Sequence, residues 1–120
     1  KDGLDECSIA AETDVVELKH GEIRRFVITP EQYGLGRGKL EHIQVNTVQQ
    51  SAELLKAVME GKANESATNI VVLNAGIALY AAGKADTIHE GVEMAKEALM
   101  TKKAYEQFER LRLKEVEQYA

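Results

Sequence analysis

Ser66-Ala67-Thr68-Asn69-Ile70-Val71-Val72-Leu73-Asn74-Ala75-Gly76-Ile77-Ala78-Leu79-Tyr80-Ala81-Ala82 is apolar nearly all round a helical wheel. A helix without a polar face must be buried, so this segment, closed by Gly83, is the expected core element. Asn69 and Asn74 interrupt it, and it falls short of the ~20 residues a membrane span needs. Asn74 in such a setting is a buried amide that must find partners and could hold neighbouring backbone in place. Gly76 leaves room for another helix to come close.

Upstream, Thr47 with Gln50, or Ser51 alone, can cap a helix near 51–60 whose Leu54, Leu55, Val58 and Met59 share one face. Gly61 sits where a left-handed C-cap belongs. Still earlier, Val15, Val16 and Leu18, then His20-Gly21, then Ile23, Phe26, Val27 and Ile28 read as a β-hairpin between Thr13 and Thr29. Pro30 and the glycines at 34, 36 and 38 make a loop of about 30–45. Downstream, Thr87-Ile88-His89-Glu90 is a capping box, and Ile88, Val92, Ala95 and Leu99 form a helical stripe. No glycine or proline interrupts Thr101-Lys102-Lys103, so the same helix is expected to run through Ala104, Phe108, Leu111 and Val116 to about 118. Its charged tail, Glu109 to Gln118, is expected to fray or to pack on something outside the chain.

The fold class is therefore α+β, one hairpin followed by three helices. Two strands alone are marginal in water, so the hairpin is expected to join a sheet supplied by residues before Lys1. The chain also opens on a lysine and not a methionine, and truncation is the matching expectation.

Fifteen basic against twenty acidic side chains give a formal charge of -5, which disfavours nucleic-acid binding. With 44% hydrophobic and 29% charged residues, the composition is that of an ordered globular body. The single cysteine, Cys7, cannot form an internal disulfide, and neither a signal peptide nor a membrane span is visible; a cytoplasmic setting is expected.

Asp2, Asp5 and Glu6 around Gly3 are the most suggestive chemical constellation. Mg2+ takes one or two carboxylates and completes its shell with substrate phosphates and water, which suits adjacent Asp5 and Glu6. A solvated acidic cluster would look the same. His20 reads as a turn residue, His42 as a loop residue and His89 as part of a helix start, none with a ligand partner at metal spacing. Cys7 has no evident histidine partner and reads as a small buried or half-buried residue, not a nucleophile. The 34–38 glycines invite a phosphate-cradle reading, but no Lys-Ser/Thr follows and a connecting loop is the simpler one.

Taken together these residues resemble the anthranilate phosphoribosyltransferase family. Asp2-Gly3-Leu4-Asp5-Glu6 looks like its DGLDE motif, and Pro30-Glu31-Gln32-Tyr33-Gly34-Leu35 like its Pro-Glu-x-x-Gly-Leu segment. Leu73-Asn74-Ala75 with Ala78-Leu79-Tyr80 looks like its late helix, and Glu90-Gly91-Val92 with Ala95 like its final Glu-Gly-Val-x-x-Ala. The resemblance implies that residues 1–120 are a C-terminal fragment of the α/β catalytic domain of the nucleoside phosphorylase/phosphoribosyltransferase type. Residues 1–45 would hold the metal motif, hairpin and loop, and 46–120 the helices.

It further implies transfer of the phosphoribosyl group of phosphoribosyl pyrophosphate to anthranilate, in tryptophan biosynthesis, by a homodimer that uses Mg2+ bound at Asp5 and Glu6. Neutralising the departing pyrophosphate is the physical reason for a cation there. No other site residue carries over, and the fragment alone is expected to be inactive.

The sequence departs from the family at Gln44-Val45-Asn46, Ser51-Ala52 and Thr68-Asn69, and near Lys102-Lys103, where the family often has a glycine. A pyrimidine nucleoside phosphorylase-like enzyme is the same-class alternative. A non-catalytic helical module that binds a partner through the Ala104–Val116 stripe is the alternative from another class.

Overall fold

The computed structural model describes residues 2–119, with side chains described through residue 114. Strand β1 (Thr13–Lys19) pairs antiparallel with β2 (Glu22–Ile28). The register sets Val15 opposite Phe26 and Leu18 opposite Ile23. The turn needs two left-handed residues, which His20 (φ 51°) and Gly21 (φ 78°) supply, a two-residue geometry that matches strand twist. Alternation puts Val15, Phe26 and Ile28 toward the body, whereas Val16, Leu18 and Ile23 are 63%, 73% and 68% exposed.

The 30–45 segment is a loop with two single 3-10 turns, Pro30–Tyr33 and Leu40–His42. Helix α1 (Val48–Glu60) begins three residues before the expected 51, because Thr47 takes the cap and its hydroxyl accepts from the Gln50 N–H at 3.0 Å. Gly61, φ 75°, ends it. Helix α2 (Glu65–Ala81) is capped by Asn64, whose side chain accepts from the Ala67 N–H.

Helix α3 (Ile88–Met100) starts at the Thr87 cap as expected. It does not run on to 118. Thr101 returns its hydroxyl to the Glu97 carbonyl, Lys102 turns left-handed at φ 64°, and a fourth helix, α4 (Lys103–Tyr119), leaves in a new direction. The expected third helix is thus two. The break lets Tyr105, Phe108, Glu109 and Arg112 line a shared cleft with Ala52, Glu53 and Lys56 of α1, so this part of the charged tail packs on the chain itself. The Val116 end of the expected stripe lies outside the described side chains.

Helix α2 is the centre of the body, as its composition requires. Val72 and Leu73 pack with Ile9, Leu35, Val92 and Ala95 in the core. The α2–α3 contact is closest at Gly76, where an added Cβ would lie 2.6 Å from the Val92 backbone nitrogen; Gly91 faces the Gly76 carbonyl in the same way. Two glycines are therefore what allows the two backbones to meet.

Candidate functional site

Residues 2–11 form a folded lip over α2, organised by Ser8. The Ser8 hydroxyl is hydrogen-bonded to the Asp2 carboxylate and accepts from the backbone N–H groups of Ala10 and Ala11 at 3.0 and 3.2 Å. The Ser8 N–H donates to the Thr13 hydroxyl at 3.0 Å. Asp2 also accepts from the Leu4 N–H, and Gly3 turns with φ 87°. The hydroxyl of Ser8 holds the Asp2 carboxyl below its ordinary range, because a hydrogen bond donated to the charged form favours it; the Leu4 N–H adds to this, and slight desolvation opposes it.

Asp2 and Ser8 thereby close a loop whose middle is Asp5 and Glu6. Both carboxylates are exposed. They border a cleft of about 560 Å³, whose other walls include Leu4, Cys7, Val15, Asn74 and Ile77. Asp14 joins Asp5 and Glu6 in the lining, and Val16 and Ala78 add to its apolar part.

Behind the pair, the Asn74 amide accepts from the Cys7 N–H at 3.0 Å and donates to the Cys7 carbonyl at 2.9 Å. It also donates to the Ile70 carbonyl at 3.0 Å, so three bonds satisfy the amide that the sequence required to find partners, in a half-buried position and not a fully buried one. Cys7 itself is half-buried, and desolvation, helped by the neighbouring Glu6 charge, pushes its thiol above the ordinary value.

Among the described residues no group of three or more His, Cys, Asp and Glu side chains gathers as a metal cage. Two exposed carboxylates, consecutive in the chain and lining one cleft, have the donor chemistry for a hard cation that takes its remaining ligands from phosphates and water. His20 stays in the hairpin turn, the His42 ring lies 3.3 Å from the Ser66 hydroxyl, and His89 sits against Tyr33 with ring centroids 6.4 Å apart. None of these is brought to the acidic pair.

The glycine loop is a connector. Its Gly34, Leu35 and Gly38 N–H groups donate to the carbonyls of Glu31, Pro30 and Ile9, and Lys39 donates to the Ser66 hydroxyl. Those N–H groups are committed within the chain and are not aimed at an anion. Sequence reasoning missed Ser8 and Thr13. The local signal was a serine ahead of Ile9-Ala10-Ala11, the pattern of a hydroxyl that caps the N–H groups two and three residues on.

Residues 1–105 match the family described as "Glycosyl transferase family, a/b domain". Over 120 residues the chain is 87% identical to an anthranilate phosphoribosyltransferase of Geobacillus sp. (strain WCH70), with 100% of the chain aligned to 35% of that protein. It superposes on the crystal structure of anthranilate phosphoribosyltransferase from Thermus thermophilus with a TM-score of 0.81 and 34% identity, over 92% of this chain and 32% of that one. A variant of the Saccharomyces cerevisiae enzyme with Mg bound gives a TM-score of 0.76 at 22% identity, over 89% of this chain and 31% of that one, a likeness of fold alone. The chain spans about a third of the length of the curated relatives it matches.

Proposed function

Because the chain belongs to the glycosyl transferase family with an a/b domain, matched over residues 1–105, we propose that it is the part of an anthranilate phosphoribosyltransferase that presents the metal-binding carboxylates. The whole enzyme would transfer the phosphoribosyl group of phosphoribosyl pyrophosphate to the amine of anthranilate and release pyrophosphate, in tryptophan biosynthesis. The observation that carries this reading is the closed Asp2–Ser8 loop, within which Asp5 and Glu6, adjacent in the chain, are both exposed and both line one cleft. A transferase of 87% identity, and a neighbour of the same fold with Mg bound, support it.

Asp5 and Glu6 would hold Mg2+, which when bound supplies positive charge to the leaving pyrophosphate. The chain's own contribution is to hold the loop that carries the two carboxylates and to line the cleft in part with apolar side chains. In this reading the domain is of the nucleoside phosphorylase/phosphoribosyltransferase type, with residues 1–45 carrying the metal motif, hairpin and loop and 46–120 the helices. The hairpin extends a larger sheet, since two strands alone are marginal in water. A cytoplasmic homodimer completes the reading. Among the described residues no helix is long and apolar enough to cross a membrane.

The helical-module alternative loses ground because Tyr105 and Phe108, from the stretch offered as its docking stripe, line the cleft shared with α1. The test is consumption of anthranilate, followed by its fluorescence, with phosphoribosyl pyrophosphate and Mg2+. It compares the full-length protein with its Asp5→Asn/Glu6→Gln double variant. Turnover that collapses in the variant is the expected result. A folded full-length protein without turnover would discard the assignment in favour of a nucleoside phosphorylase-like activity.

A further inference from the structure

We propose that Asn74 is a positioning residue for the metal-binding pair: through its two hydrogen bonds to Cys7 it fixes the backbone from which Glu6 and Asp5 project. The inference rests on the metal role proposed above for those carboxylates.

A single side-chain amide meets both backbone groups of one residue, 67 positions away in sequence, with bonds of 3.0 and 2.9 Å. Such a two-bond ring sets both the distance and the rotation of the segment it holds, where one bond would leave it free to swivel. The Cys7 N–H belongs to the peptide that joins Glu6 to Cys7, and a planar peptide carries the Glu6 Cα with it. The third bond, to the Ile70 carbonyl one turn back on α2, holds the amide in orientation.

The lip is therefore anchored at two independent points. Asp2–Ser8 closes the loop, and Asn74 fastens its downstream limb to the core helix. Exposed carboxylates on an untethered loop would have to be ordered when a cation binds, and that ordering costs free energy. Tethering in advance removes part of the cost, and partners that orient ligands are worth about 10–100-fold in metal affinity elsewhere.

The experiment uses the full-length enzyme with Asn74→Ala and with Asn74→Leu, which keeps side-chain bulk but neither donor nor acceptor. Three quantities are measured: the Mg2+ concentration for half-maximal turnover, the KM for anthranilate at saturating Mg2+, and Mn2+ binding by electron paramagnetic resonance in the presence of phosphoribosyl pyrophosphate. The expected result is about a tenfold or larger loss of metal affinity in both variants, with the anthranilate KM unchanged.

Metal affinity within twofold of the parent in either folded variant, while Glu6→Gln weakens it, would overturn the role of Asn74. If Glu6→Gln and Asp5→Asn also leave metal affinity unchanged, the metal reading itself fails, and with it this inference. Should neither Asn74 variant fold, hydrogen exchange in the parent decides. Protection of the Cys7 amide comparable to the α2 amides supports the tether, and exchange as fast as at Asp5 and Glu6 rejects it.

Discussion

Lys102 donates from its ammonium nitrogen to the Glu60 carbonyl oxygen at 2.8 Å, so the residue at the break between α3 and α4 also closes the end of α1. That bond offsets an unfavourable backbone, since a lysine at φ 64° carries a cost of about 1 kcal/mol or more that glycine would not. Lys102→Gly and Lys102→Ala both lose the bond to Glu60, but only alanine keeps the strain. Lys102→Ala is therefore expected to be about 1 kcal/mol less stable than Lys102→Gly in urea unfolding. Equal stabilities would show that the left-handed turn is not kept in solution.

The Gly76–Gly91 crossing admits no side chain on either helix. Gly76→Ala and Gly91→Ala are each expected to cost about 2–3 kcal/mol or more, despite alanine being the better helix former, because backbone and not a flexible side chain must give way. A thermal scan that finds either variant as stable as the parent would mean the helices are further apart than described.

Ser8 is 2% exposed and its hydroxyl serves two backbone N–H groups and the Asp2 carboxylate. Ser8→Ala should cost about 1–3 kcal/mol by stranding those donors. The same change should raise the Asp2 titration midpoint, followed by carboxyl carbon NMR, since the Ser8 bond is the largest cause of its depression. The sign for stability follows: a depressed carboxyl contributes above its unfolded pKa, and the contribution fades as pH falls through the folded value. An unmoved Asp2 midpoint in Ser8→Ala would contradict the loop closure.

Cys7 has its thiol pushed up by burial and then by Glu6, so the reactive thiolate is scarce at neutral pH. Alkylation by iodoacetamide at pH 7.5 (roughly a unit below an ordinary cysteine pKa) is expected to be slower than for an unfolded peptide of the same sequence. It should accelerate as pH rises or as urea opens the lip. Labelling at the peptide rate in native protein would place Cys7 outside the Asn74 tether.

Much of the fold could be read from the chain because its signals are local. The β-branched runs about His20-Gly21, the all-round apolar α2 and the Thr87 cap each act within a few residues, and each element stands where those residues put it. The α3–α4 break was invisible for the opposite reason. Thr101-Lys102-Lys103 contains no helix breaker, and Lys102 turns left-handed beside a bond to Glu60, 42 positions away. The family's frequent glycine nearby was the one hint that a turn belonged there. At the candidate site, Asp5 and Glu6 stood out by motif, whereas Ser8 and Thr13 escaped notice. Asn74 was recognisable as an amide in need of partners that could hold nearby backbone, but neither its spacing nor its neighbours point to Cys7 as that partner.

Asn74 and Gly76 stand two positions apart on α2, roughly 200° around its axis. One grips the acidic lip while the other lets α3 approach, so the helix has a single permitted rotation. A bulkier residue at 76 that turned α2 to relieve crowding would swing the Asn74 amide away from Cys7. Substitutions at the buried helix crossing should therefore register at the mouth of the cleft, while α4, which packs chiefly on α1 and α3, is where the sequence can drift without disturbing the carboxylates.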